Sequence, residues 1–248
     1  VTTQVVPSRP AAHRPTRAEV PFDGLGRGAI SGPRWVVILA ACAVEFDQFA
    51  LLPATGTVGH WAGLALFPII PLAALMWATP TGWTALVRGI GPRDLGVLLG
   101  VALACLATVT IGSLALSEAG PLGHLPGPVT GHGLYSFLLE GVPHILGEEL
   151  VAVLPMLALA SGLRRLSWSR SVAQTVASVV VAGVFVLLHL PTSNWNVVEC
   201  VVLVGVMRLV LAFGFFTTRS LWVPIGAHLL SDLALFTMPL LVSAAYLI

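Results

Sequence analysis

The chain has 248 residues, of which 56% are hydrophobic and 9% charged, and its mean hydropathy is +0.93. That balance excludes a water-soluble domain of this length and makes the bilayer the expected solvent. A net charge of +1 gives no electrostatic footprint for nucleic acid, and neither a Walker loop nor a Gly-rich dinucleotide turn appears.

Residues 1–34 carry Arg9, Arg14, Arg17, Arg27 and Arg34 among prolines and have no apolar core. They read as a disordered Arg/Pro-rich cytoplasmic arm rather than a secretory signal. Residues 35–248 read as one transmembrane helical domain with its polar site in 140–236. A span needs about 20 mostly apolar residues. The candidates in chain order are Trp35 to Leu52, Trp61 to Thr79, Gly96 to Leu116, Leu134 to Ala160, Val172 to Leu190, Val197 to Phe216, and Leu221 onward. The last stretch is long enough for one tilted or Pro239-kinked helix, or for a break near Thr237 and a short final helix. The expected fold is therefore an all-α, polytopic transmembrane helical bundle with seven or eight spans.

All twelve basic residues are Arg, and their placement tests this division. Arg88 with Arg93, then Arg164, Arg165 and Arg170, then Arg219 fall in every second loop, whereas 53–60, 117–133 and 191–196 contain none. By the positive-inside rule the N-terminus of this integral membrane protein is expected to be cytoplasmic, and a bacterial plasma membrane is the expected location. Cys42, Cys105 and Cys200 each lie in an apolar run, which points to buried thiols rather than disulfides.

Charged residues within spans carry the functional reading, because each costs at least about 2.5 to 3.5 kcal/mol at mid-bilayer unless it faces protein or a wet cavity. Glu148 and Glu149 are adjacent on one helix and point about 100° apart. Phe185 with His189, and His228 with Asp232, are each four apart, on one face of their helices. Two histidines and two or three carboxylates from three helices suffice to activate water for peptide hydrolysis. The same types at Glu148, His189 and His228 could instead hold Zn2+ with an open position.

At GEEL (Gly147 to Leu150), FVLLH (Phe185 to His189) and HLLSD (His228 to Asp232) the chain resembles the CPBP family, the CAAX proteases and bacteriocin-processing enzymes. RSLWVPIGAHLLSD around the third motif is also similar to that family. The resemblance covers roughly residues 130 to 236. It implies an intramembrane endopeptidase with Glu148 activating water, His189 holding or protonating it, and His228 with Asp232 supporting the oxyanion or a metal. A prenylated CAAX tail, a leader peptide or a membrane-protein segment would be the substrate. One departure is visible: the family motif continues Glu-Glu-x-x-x-Arg, and here that position is Val153. Arg208, mid-span between the second and third motifs, is the candidate replacement, expected to pair with Glu149 or Asp232.

Other polar residues read more simply. Glu140, His144 and Glu148 form a stripe at spacings of four, read as structural hydrogen bonding, with Pro143 perturbing the face. His13, His60, His124 and His132 fall in the arm or outer loops, and Glu199 at an outer membrane interface. Two alternatives stand beside the protease: a non-proteolytic binding or immunity protein, and a proton-coupled transporter using Glu45, Asp47, Glu140 and Glu148 as a relay.

Overall fold

The computed structural model describes residue 22 and residues 29–51, 56–119 and 134–245, so most of the N-terminal arm lies outside the described residues. So do His13, His124 and His132, while Asp47 is described in its backbone alone.

Among the described residues there are helices and turns and no strand. The helices are α1 (Gly32–Leu51), α2 (Gly56–Ala78), α3 (Pro92–Ala119), α4 (Leu134–Arg165), α5 (Arg170–His189), α6 (Val197–Glu199), α7 (Val206–Thr218) and α8 (Trp222–Ala245). A π-helical segment, Cys200–Gly205, joins α6 to α7 into one span, and a 3-10 turn, Trp83–Ala85, lies between α2 and α3.

Five helical stretches are long and apolar enough to cross a bilayer: Thr57–Ala78, Pro92–Ser117, Phe137–Arg165, Arg170–His189 and Val197–Thr218. The expected seven or eight spans are therefore not reached on this measure. The stretch Trp222–Thr237 of α8 is shorter on the same measure, although the helix itself runs on through apolar residues to Ala245. Arg34, Glu45 and Asp47 interrupt α1. α8 continues past Pro239 to Ala245, the single-helix alternative of the two that the sequence leaves open. His60 also moves, because α2 already begins at Gly56 and takes it out of the expected loop.

α4 is the centre of the molecule. It packs against α1, α2, α5 and α8, and its side chains Leu150, Leu154 and Leu157 are almost fully buried. It runs 32 residues, about 48 Å, and stays helical through Pro143 and Pro155. Gly147 lets α2 approach closely: a Cβ there would lie 2.6 Å from Phe67 Cγ. A second, smaller core joins Leu98, Val101 and Cys105 of α3 to Leu211 of α7 and to Val223 and Ala227 of α8. Cys42, Cys105 and Cys200 are buried free thiols, as the sequence suggested.

The arginine loops meet at one end. Arg88 donates to Thr218 O, Ser220 Oγ donates to Arg88 O at 3.0 Å, and Leu221 N donates to Leu86 O at 2.7 Å. Arg165 donates to Ile30 O at 2.5 Å, and Arg34 to Ala78 O at 3.0 Å. These bonds satisfy carbonyls at helix ends and loops that have no intrahelical partner.

Candidate active site

Three helices each contribute a pair of side chains one turn apart. α4 presents His144 and Glu148, α5 presents Phe185 and His189, and α8 presents His228 and Asp232. The π segment precedes the fourth contributor, Arg208, by three residues. Its wider i→i+5 turns shift the register of everything after it, and Arg208 faces inward rather than lipid. Its side chain is only 6% exposed.

Glu148 is where these elements meet. Its Oε1 lies 3.2 Å from His144 Nε2 and 3.8 Å from His189 Nε2. Its Oε2 accepts from Arg208 Nη2 and lies 4.0 Å from His228 Nε2. Glu149, on the closed side, accepts from Arg208 Nη1 at 2.5 Å and from His228 Nδ1 at 2.8 Å. Asp232 Oδ2 lies 3.5 Å from His228 Nε2.

Arg208 therefore pairs with both glutamates, and no bond to Asp232 is found among the described residues. The expected pairing with Glu149 is present. The motif position left as Val153 does not strand that carboxylate, because a cation arrives from α7 instead. Val153, Glu149 and Arg208 line the same small cavity between α4, α5 and α7.

Phe185 has two uses. Its carbonyl accepts from His189 Nδ1 at 2.8 Å, which orients the ring with Nε2 toward Glu148. Its ring lies 4.2 Å from the Arg208 guanidinium carbon, in cation–π geometry. The ring thus holds the cation that holds both carboxylates.

Exposure divides the cluster. Glu149, Arg208 and His228 side chains are 2%, 6% and 6% exposed, whereas Asp232, His189 and His144 are 34%, 25% and 36% exposed. The site is closed behind Glu149 and opens past Glu148. His189 and His228, which upright helices would leave at different depths, both reach the same carboxylate.

The remaining polar residues sort differently from expectation. His144, read as structural, touches Glu148; the signal available in sequence was its spacing of four. Glu140 leaves the stripe for His60 Nε2 of α2 at 3.7 Å, and both are half exposed. Glu199, read as interfacial, is 4% exposed, with its backbone N–H on Asn196 Oδ1 at the start of α6. Glu45 is buried in α1.

For a metal, Glu148, His189 and His228 offer the right chemistry but not the spacing. Among the described residues no three His, Cys, Asp or Glu side chains stand where one ion could reach them all. Arg208 also already occupies one Glu148 oxygen.

No curated protein and no solved structure matches the chain. A family model does, described as Type II CAAX prenyl endopeptidase Rce1-like, over residues 130–234, the stretch that supplies every side chain of the cluster. Over that segment the chain is similar to the Rce1-like proteins of the CPBP family.

Proposed function

We propose that this protein is an intramembrane endopeptidase of the CAAX type, with Glu148 as the base that activates water. The carrying observation is that one buried carboxylate, bordered by the partly exposed His144 and His189, has two imidazoles and a guanidinium within 4.0 Å, with a third imidazole at that distance. Arg208 holds Oε2, which leaves Oε1 to take the proton.

The reaction needs four events: proton removal from water, attack on the carbonyl carbon, stabilisation of the oxyanion, and protonation of the leaving amine. Glu148 Oε1 accepts the water proton as the oxygen bonds to the carbonyl carbon. His228 has a carboxylate facing each nitrogen and can donate from both only as imidazolium, so its Nε2–H is the oxyanion donor. Its Nδ1–H stays on Glu149, which fixes the ring. The proton held by Glu148 passes to the amine nitrogen directly or through His189 Nε2, and the C–N bond breaks. Asp232 steers His228. The donor spacing leads us to route no step through Zn2+.

The chain sits in the bacterial plasma membrane in this reading, N-terminus cytoplasmic, with α1 and α8 completing a bundle of at least seven crossings. A peptide or membrane-protein segment is the substrate, either a prenylated CAAX tail or a leader.

The test is cleavage of membrane-anchored peptides bearing either type of tail by the purified chain. Glu148→Gln keeps an acceptor for Arg208 and should fold normally while losing on the order of 10³-fold in rate. A zinc chelator should leave the wild-type rate unchanged. Wild-type cleavage by a folded Glu148→Gln variant would overturn the base assignment. Failure of the wild type to cut any tail would favour the binding-protein alternative, and a rate tied to a proton gradient the transporter.

A further inference from the structure

A second polar feature lies outside this cluster, at the end where the arginine loops meet. A cleft of about 400 Å³ is lined by Arg88, Arg93, Asp94, Thr217, Thr218 and Arg219, with Val97 at its apolar wall. That volume is within the roughly 300 to 1,000 Å³ of small-ligand sites. Three arginines against one aspartate give its lining a formal charge of +2.

The guanidiniums are not equivalent. Arg88 is a fixed wall: it donates to Thr218 O and Gly89 O and pairs with Asp94 Oδ2 at 3.1 Å. Asp94 is buried and also accepts from Gly91 N at 3.0 Å, so the one acid in the cleft is committed. Arg93 is exposed, and Arg219 is half-buried. Burial first, and then repulsion from Arg170 and Arg88, push the Arg219 guanidinium below its ordinary value. The arginines are therefore crowded enough to repel one another, and an anion among them would relieve that repulsion.

Depth identifies the anion. The cleft lies between the first turn of the span Pro92–Ser117 and the last turn of the span Val197–Thr218, so in a bilayer crossed by these two helices it would stand at the edge of the hydrocarbon. Trp222, 45% exposed with its indole N–H on Val87 O at 3.2 Å, stands beside it as an interfacial aromatic. Basic pockets between membrane helices at this depth suit phosphate-bearing headgroups, and guanidinium forks match phosphate oxygens in pairs. Thr217, exposed on the same wall, supplies a hydroxyl donor.

We propose that this cleft is a binding site for a phosphate-bearing anion, an anionic phospholipid headgroup or a free phosphate, held by Arg93 and Arg219 against the fixed Arg88. The positive-inside rule would place arginines in these loops without any site, so the experiment must separate a cleft from a diffuse charge.

The full chain in neutral detergent is titrated with short-chain phosphatidylglycerol, short-chain phosphatidylcholine and inorganic phosphate, and binding is read from the unfolding midpoint. Phosphatidylglycerol should bind and phosphatidylcholine should not. Arg93→Gln should weaken binding about fivefold, and Arg93→Gln with Arg219→Gln roughly 30-fold. Arg164→Gln, at the same end but outside the cleft, should leave it unchanged. If inorganic phosphate binds as well as the lipid, with the same loss in the variants, the site takes free phosphate. Equal weakening by Arg164→Gln, no response to Arg93→Gln, or no binding of either anion would overturn the proposal.

Discussion

α4 and α3 are both long apolar helices, yet they do opposite things. In its most apolar stretch α4 is 72% buried and α3 28% buried. Leu99, Leu103, Ile111 and Leu114 of α3 face outward, whereas Leu150, Leu154 and Leu157 of α4 are closed in. Hydropathy runs the other way, at 1.6 for α4 and 2.3 for α3. In lipid, apolar character does not drive a helix inward, because hydrocarbon tails are as apolar as leucine. What places α4 at the centre is its polar content, since His144, Glu148 and Glu149 must find partners within the protein.

The largest effect expected from testing that contrast is at Arg208. Arg208→Ala leaves Glu148 and Glu149 in a closed site without their cation, and breaking such a buried pair costs about 3 to 5 kcal/mol. The penalty should shrink in a Glu149→Gln background, by an interaction of about 0.5 to 3 kcal/mol in a double-mutant cycle read by denaturant unfolding. Additive losses would mean that the pairing does not hold α4 in place. Adding Val153→Arg to Arg208→Ala should recover part of the loss, because Val153 lines the cavity that Arg208 and Glu149 share.

How far the site could be read from sequence follows the same physics. Glu148, Glu149, His189, His228 and Asp232 were legible as polar groups in costly places at helical spacing. Arg208 was legible for the same reason, with Glu149 or Asp232 as the expected partner; that it bonds Glu149 and Glu148 together needed the packing. His144 carries a weaker signal because Pro143 interrupts its face in sequence, whereas α4 stays helical through that proline. Phe185 as a ring under Arg208 is a tertiary contact between α5 and α7, with no trace in either helix alone. The π segment has no composition signature, since i→i+5 bonding depends on what the helix must aim at its far end. Of the expected spans, five meet the length and apolarity of a crossing among the described residues, and α1, whose sequence holds Arg34, Glu45 and Asp47, does not meet that measure.

A smaller effect separates the glycines of the two helices. A Cβ at Gly147 of α4 would overlap the Phe67 ring of α2, with Cγ only 2.6 Å away. Gly147→Ala should therefore cost about 1 to 3 kcal/mol by overpacking. It should also disturb the neighbouring Glu148, lowering cleavage beyond what the stability loss explains. Phe67→Leu in the same chain should relieve both, and the unfolding midpoint and rate together check it.

The smallest effect has the opposite sign. A Cβ added at Gly100 of α3 would meet nothing within 4 Å, neither backbone nor side chain. Gly100→Ala then acts only through helix propensity, which favours alanine by up to about 1 kcal/mol. The variant should unfold at a slightly higher denaturant concentration with unchanged cleavage. A loss of stability at Gly100 would mean that the exposed face of α3 is covered by a second chain. That would turn the contrast with α4 into one between a core within the chain and an interface between chains.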